Sequence, residues 1–282
     1  MKAFAVARRD FLDVRRAKLV WTPAALYTLF MLLFFYGQSG SSDPNFHRVL
    51  WGLAGVGGAL VVPLIALVAA YLALAGERES GRIKFTLGAP VTRADVVLGK
   101  LLARSGVVAA GLLLSFVVGT AAAEVLVPSM ELAVGDFVMF VVLTLLYAVA
   151  YVSVALAISA STSTRSRAIG GAIGFFFVFN IVWNFLPVGP VQMLSFVLDK
   201  LGADPADYEN LLEFLYSISP TGAYLNSMQL VMPTDILATV GAAPRPDDPF
   251  YLEGWFMVVL MALWIAVPLA LGYWRFRTAE IG

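Results

Sequence analysis

Few residues of this chain could do covalent chemistry, and the usual catalytic sets are ruled out by what is missing. There is no cysteine, so thiolate nucleophiles, disulfides and iron–sulfur ligands have no source. The single histidine, His47, lies in a short polar stretch, where a solvated or capping role outweighs metal ligation. An intramembrane serine protease would need its histidine inside an apolar segment, and none is there. Met228/Met232 and Met257/Met261 stand at i,i+4 spacing, which suits a soft metal but equally suits core packing, so no metal site is assigned. A phosphate loop is also missing. The one Gly-Lys pair, Gly99-Lys100, has Ala94 where the first glycine belongs and Leu101 where the hydroxyl belongs. No enzyme activity is expected of the chain itself.

What remains is a run of charges suited to recognition. Over 77–87 the charges of Glu77, Arg78, Glu79, Arg82 and Lys84 alternate with Ile83, Phe85 and Leu87. Pro90 then interrupts, and Thr92 can cap a helix running through Arg93 and Asp95 to Gly99 and Lys100. A bare connector needs a handful of polar residues; two short amphipathic pieces predict a docking surface for a soluble partner. The plainer reading is that these charges only mark a membrane boundary.

The elements that must hold this loop are apolar. With 60% hydrophobic and 13% charged residues, the chain carries more apolar surface than one soluble core can bury. Runs at about 20–37, 51–75, 101–123, 137–159, 169–187 and 255–274 each reach the ~20 residues needed to cross a bilayer. They lack the period-two alternation of an outer-membrane barrel, so an all-α integral membrane fold of six spans in a single domain, 1–282, is expected. Basic residues set the orientation. Of the 19, only Arg48, Lys200 and Arg245 fall on one side. The other side collects the rest and is taken as cytoplasmic, with both termini there and the cell membrane as the location. Six acids, Asp10, Asp13, Glu77, Glu79, Asp95 and Glu280, lie inside; the others lie outside.

Before the first span, Phe4, Ala7, Phe11 and Val14 repeat at helical spacing among Lys2, Arg9, Asp13 and Arg16. That pattern predicts an amphipathic helix at the inner interface, leading into an uncleaved anchor, rather than a basic stop signal alone.

The pattern Glu79, Gly81, Leu87, Pro90, Arg93, Gly99, Lys100, between a long span and an apolar helix, resembles the inner loop of ATP-binding-cassette type 2 permeases. It is most similar to the branch containing the nitrous-oxide-reductase maturation permease. The resemblance covers the full length in span number, N-terminal helix and long segment before the last span. It implies a transport subunit that works as a homodimer or pseudo-dimer. ATP and Mg would sit on a separate cytoplasmic ATP-binding subunit, and this chain would carry no cofactor. The segment 77–85 would be the coupling helix, with Pro90, Arg93, Gly99 and Lys100 shaping the return into the third span. A membrane scaffold or receptor binding a regulatory protein through 76–100 is the alternative. No nucleic-acid partner is expected.

Inside the spans, Gly111, Ser115 and Gly119, and Gly170 with Gly174, permit close helix approach. Gly55, Gly57 and Gly58 loosen the second span, and Pro63 and Pro268 would kink the second and sixth. Asn180 and Asn184 lie one turn apart, suited either to a transport pathway or to interhelical hydrogen bonds. The outer segment 188–253 has apolar stretches at 191–201 and 211–232, broken by Glu213 and Ser-Pro-Thr-Gly at 219–222. Partly inserted or interfacial helices fit these better than a seventh crossing.

Overall fold

The computed structural model describes residues 2–15 and 21–280, and among them every regular element is a helix. In chain order these are α1 Lys2–Arg15, α2 Trp21–Gln38, α3 Phe46–Glu79, α4 Ile83–Gly88, α5 Arg93–Leu126, α6 Val134–Ser161 and α7 Arg165–Val182. There follow α8 Pro190–Lys200, α9 Glu209–Ser217, α10 Pro220–Ser227, α11 Thr234–Thr239 and α12 Gly254–Thr278. Arg16, Lys18 and the first residue of the expected first span lie outside the described residues, as do the side chains of Asp13, Val14 and Arg15.

Five helices, α3, α5, α6, α7 and α12, are long and apolar enough to cross a membrane, and the apolar part of α2, Ala25–Gln38, is shorter. At ~1.5 Å per residue the 34 residues of α5 extend about 51 Å, well beyond a ~30 Å hydrocarbon layer. One end of α5 must therefore project, and its first turns carry Arg93, Asp95 and Lys100.

Local signals set the helix ends. Thr92 and Asp95 form a reciprocal capping box at the start of α5, Thr164 caps α7 and Ser219 caps α10. Each such cap satisfies an amide that would otherwise be orphaned, at roughly 1 kcal/mol. The long helices then pack by burying one face. Tyr27, Met31 and Phe35 of α2, Leu50 and Leu53 of α3, and Phe140, Tyr147 and Tyr151 of α6 are all buried in the main core. Gly111, Ser115 and Gly119 of α5 are buried within the chain, the last of them under Met31. Gly170 and Gly174 on α7 face open space.

Two departures from regular helix stand out. Leu53–Val61 of α3 and Phe177–Val182 of α7 are π-helical, and the first stretch contains the three loosening glycines and ends just before Pro63. The segment after α7 is a chain of short helices. α10 is drawn into the bundle, with Thr221, Ala223 and Tyr224 buried and contacts to α6, α12 and the π-helical part of α3. α8 buries none of its residues.

Candidate functional site

At one end of the bundle the chain turns from α3 through α4 into α5. The single helix expected over 77–85 is instead two pieces. Gly81 has φ +72, a left-handed backbone that glycine adopts freely and other residues resist. The break there lets α3 end at Glu79 and α4 begin at Ile83. Ile83, 2% exposed, anchors α4 in a small apolar cluster with Leu74, Val96, Val97, Leu156 and Phe276. Two residues on, Phe85 is 81% exposed.

Most of the loop's charges are engaged inside the chain. Lys100 is 2% exposed, and its Nζ donates to Glu77 Oε1 at 2.6 Å and to Asp10 Oδ1 at 3.1 Å. Arg104, one turn further along α5, grips Asp10 through Nε at 2.8 Å and donates to the carbonyl of Ala69 at 2.8 Å. Burial pushes the Asp10 carboxyl up, but Lys100 and Arg104 outweigh it and hold it below the ordinary carboxylate range. Two cations and two anions thus join α1, α3 and α5 in one neutral cluster. Removing any one member would strand a buried charge.

The other charges close helix ends. Arg78 donates to the carbonyls of Ala160 and Thr162 at the end of α6, at 3.3 and 2.9 Å. Glu79 accepts from the amide of Arg165 at 2.8 Å, capping α7 from another element. Arg93 donates to the carbonyls of Phe276, Arg277 and Ala279 and lies over the Phe276 ring, closing α12. Ser159 Oγ accepts from the amides of Leu74 and Ala75 where α3 loosens. Of the predicted set, then, Glu77, Arg78, Glu79, Arg93 and Lys100 build a frame. Arg82, Lys84, Phe85 and Pro90 are the exposed residues it displays.

Gly99 is part of the frame as well. A Cβ there would lie 2.7 Å from the Ala3 carbonyl and from Val6 Cβ, so only glycine lets α1 lie against α5. The face of α1 that docks includes Ala3, Val6, Ala7 and Asp10. The apolar stripe read from the sequence is only partly used: Ala7 is buried, whereas Phe4 is 70% exposed. Small residues and a charge win the packing face because a bulky one would hold the two backbones apart.

Deeper in the bundle, Asn180 and Asn184 are held by hydrogen bonds. Pro63 has no N–H to offer the carbonyl of Ala59 four residues earlier, and Asn180 Nδ2 donates to that oxygen at 2.7 Å. Asn180 Oδ1 accepts from Thr221 at 2.9 Å, and Thr221 Oγ1 also meets the hydroxyls of Tyr147 and Tyr151 at 2.8 and 2.9 Å. Asn184 donates to the carbonyls of Phe179 and Asn180 and accepts from Ser219. The pair therefore fastens α7 to α3 and α10. At the opposite end of the bundle His47 Nε2 lies 2.8 Å from Asp136 Oδ2, joining the starts of α3 and α6. Among the described residues no His, Cys, Asp and Glu cluster suited to a metal ion is present.

The architecture is thus a multi-helix membrane bundle with a framed, protruding loop at one end. The model of ABC-2 family transporter proteins matches residues 4–281. The chain belongs to this family. Among the relatives of this ABC-2 chain is a protein of Pseudomonas aeruginosa named probable ABC transporter permease protein NosY. The two are 27% identical over 99% of this chain and 98% of that protein. A protein of the same name from Stutzerimonas stutzeri is 26% identical over 96% of each. Both fall in the branch that the loop pattern resembles. As an ABC-2 permease, the chain is a multi-pass membrane transport subunit and not an enzyme by itself, and the scaffold or receptor reading is not favoured.

Sequence reasoning missed Asp10, Arg104, Arg165 and Ser159 as partners of the loop. A signal for the first two was present: Lys100 and Arg104 stand one turn apart where an apolar run begins, which demands acids nearby.

Proposed function

We propose that this chain is the permease subunit of a transporter whose ATP and Mg are bound by a separate cytoplasmic subunit, and that α4 is the element that subunit grips. Six spans, α2, α3, α5, α6, α7 and α12, then place α1, α4 and both termini on the cytoplasmic side of the cell membrane. Two permease chains would face two ATPase subunits. The observation that carries the reading is the contrast within α4: Ile83 is locked in the chain's own core while Phe85, flanked by Arg82 and Lys84, stands out into solvent. An exposed aromatic on a rigidly seated short helix is what a groove-binding anchor requires. A loop that only marked the boundary would have no use for its frame of interhelical bonds.

Phe85→Ala should weaken copurification of the co-expressed ATP-binding subunit by roughly 1–3 kcal/mol, the range of a truncated interface anchor. Asp247→Lys, in the acidic segment between α11 and α12, is the control and should leave partner affinity unchanged. Equal recovery of the ATPase with Phe85→Ala and the unaltered chain would remove α4 from the interface.

A further inference from the structure

Between α5 and α6, on the side of the bundle away from α4, runs a groove of about 490 Å³. Phe116 and Phe137, with ring centroids 5.9 Å apart at 89°, form its floor. Leu113, Val117, Val138 and Val142 are exposed along its walls, and Glu124 closes its outer end. We propose that this groove binds one phospholipid whose headgroup carries a protonated amine, the acyl chain lying in the groove and the amine on the Glu124 carboxylate.

Length supports this occupant first. From Arg104, which marks the cytoplasmic boundary, to Glu124 is twenty helical residues, about 30 Å and the thickness of the hydrocarbon layer. Glu124 therefore sits at the level of the opposite headgroups. From Leu113 to Glu124 is about 16 Å, close to half that thickness, so the groove spans one leaflet. Its walls match an acyl chain, being apolar except for Thr120, whose hydroxyl is already spent on the Phe116 carbonyl at 2.7 Å.

Charge supports it second. Glu124 forms no ion pair among the described residues, and a carboxylate at headgroup level recruits a cation. The chain's own cations at that end are few, so a second copy would have to bring Arg48 or Lys200 to the groove. The segments at that end carry Arg48, Lys200 and Arg245, and Arg245 is already bound to Glu209, Glu213 and Asp248.

This inference rests on the membrane-spanning reading but needs no ATPase partner. Its test therefore fails separately from that of α4. The full chain, stripped of lipid in detergent, is titrated with phosphatidylethanolamine and with phosphatidylglycerol and followed by native mass spectrometry. One phosphatidylethanolamine should be retained per chain, with about a two- to fivefold preference over phosphatidylglycerol, the scale of a partly exposed ion pair. Glu124→Gln should abolish the preference while leaving residual binding, and Val117→Trp should displace both lipids. Equal retention of the two lipids, or a preference that survives Glu124→Gln, overturns the assignment. So does an inter-chain disulfide through Val117→Cys in this cysteine-free protein, which would give the groove to a second copy.

Discussion

At the scale of single residues, the chain spends its ionic side chains on holding helices together. Lys100 is the clearest case, because it is buried and satisfies carboxylates from two other elements. Lys100→Met should lower stability by an amount near the lower end of the ~3–5 kcal/mol typical of a broken buried pair, since Arg104 still neutralises Asp10. Thermal unfolding in one detergent measures it, with exposed Arg82→Met expected to stay within about 0.5 kcal/mol of the unaltered chain. An unchanged midpoint for Lys100→Met would mean that the cluster stores no stability. The kinds of residue in the loop were legible in the sequence; their division of labour was not. Glu77 and Glu79 look alike on paper, yet one meets Lys100 and the other the amide of Arg165, 86 positions away. Pairings at such separations are fixed by tertiary packing, which a single sequence does not encode locally.

At the scale of elements, the helices were legible because length and hydropathy decide them, and their irregularities were partly so. Glycines and Pro63 announced a loosened α3, and the π-helical stretch lies just there. That Asn180 would fill the carbonyl freed by Pro63 depends on α7 lying alongside, which no periodicity reveals. α10 is a similar case: its eight residues, beginning Pro-Thr-Gly after the cap Ser219, read as part of a partly inserted or interfacial stretch, but the hydroxyl of Thr221 finds Asn180, Tyr147 and Tyr151 and is drawn into the bundle. Asn180→Ala removes two side-chain hydrogen bonds, each worth on average ~0.6 and at most ~1.7 kcal/mol inside a membrane. It should therefore destabilise the protein by about 1–3 kcal/mol and raise amide exchange over 53–61. If both quantities stay unchanged while transport falls, Asn180 belongs to the pathway and not to the clasp.

At the scale of the whole molecule, α4 is tied rigidly into the bundle, so that in the proposed complex a partner's pull on it would have routes inward. Ile83 ties α4 to α5 and α12 through the small apolar cluster, Arg78 and Glu79 reach α6 and α7, and Glu77 reaches α1 and α5 through Lys100. α7 and α12 keep most of their apolar surface uncovered by the rest of the chain, surface that lipid can cover. The basic bias of the loop end and the acidic bias of the other were legible from charge alone, since neither depends on contacts. The central claim is that a separate ATPase seats on α4 at the cytoplasmic face. It is tested most directly by placing a photo-crosslinking amino acid at Phe85, and in a second variant at Asp247, in the intact transporter in its native membrane. The account predicts a crosslink from position 85 to the ATP-binding subunit and none from position 247. A crosslink from 247 to that subunit, with none from 85, would contradict both the orientation and the docking element.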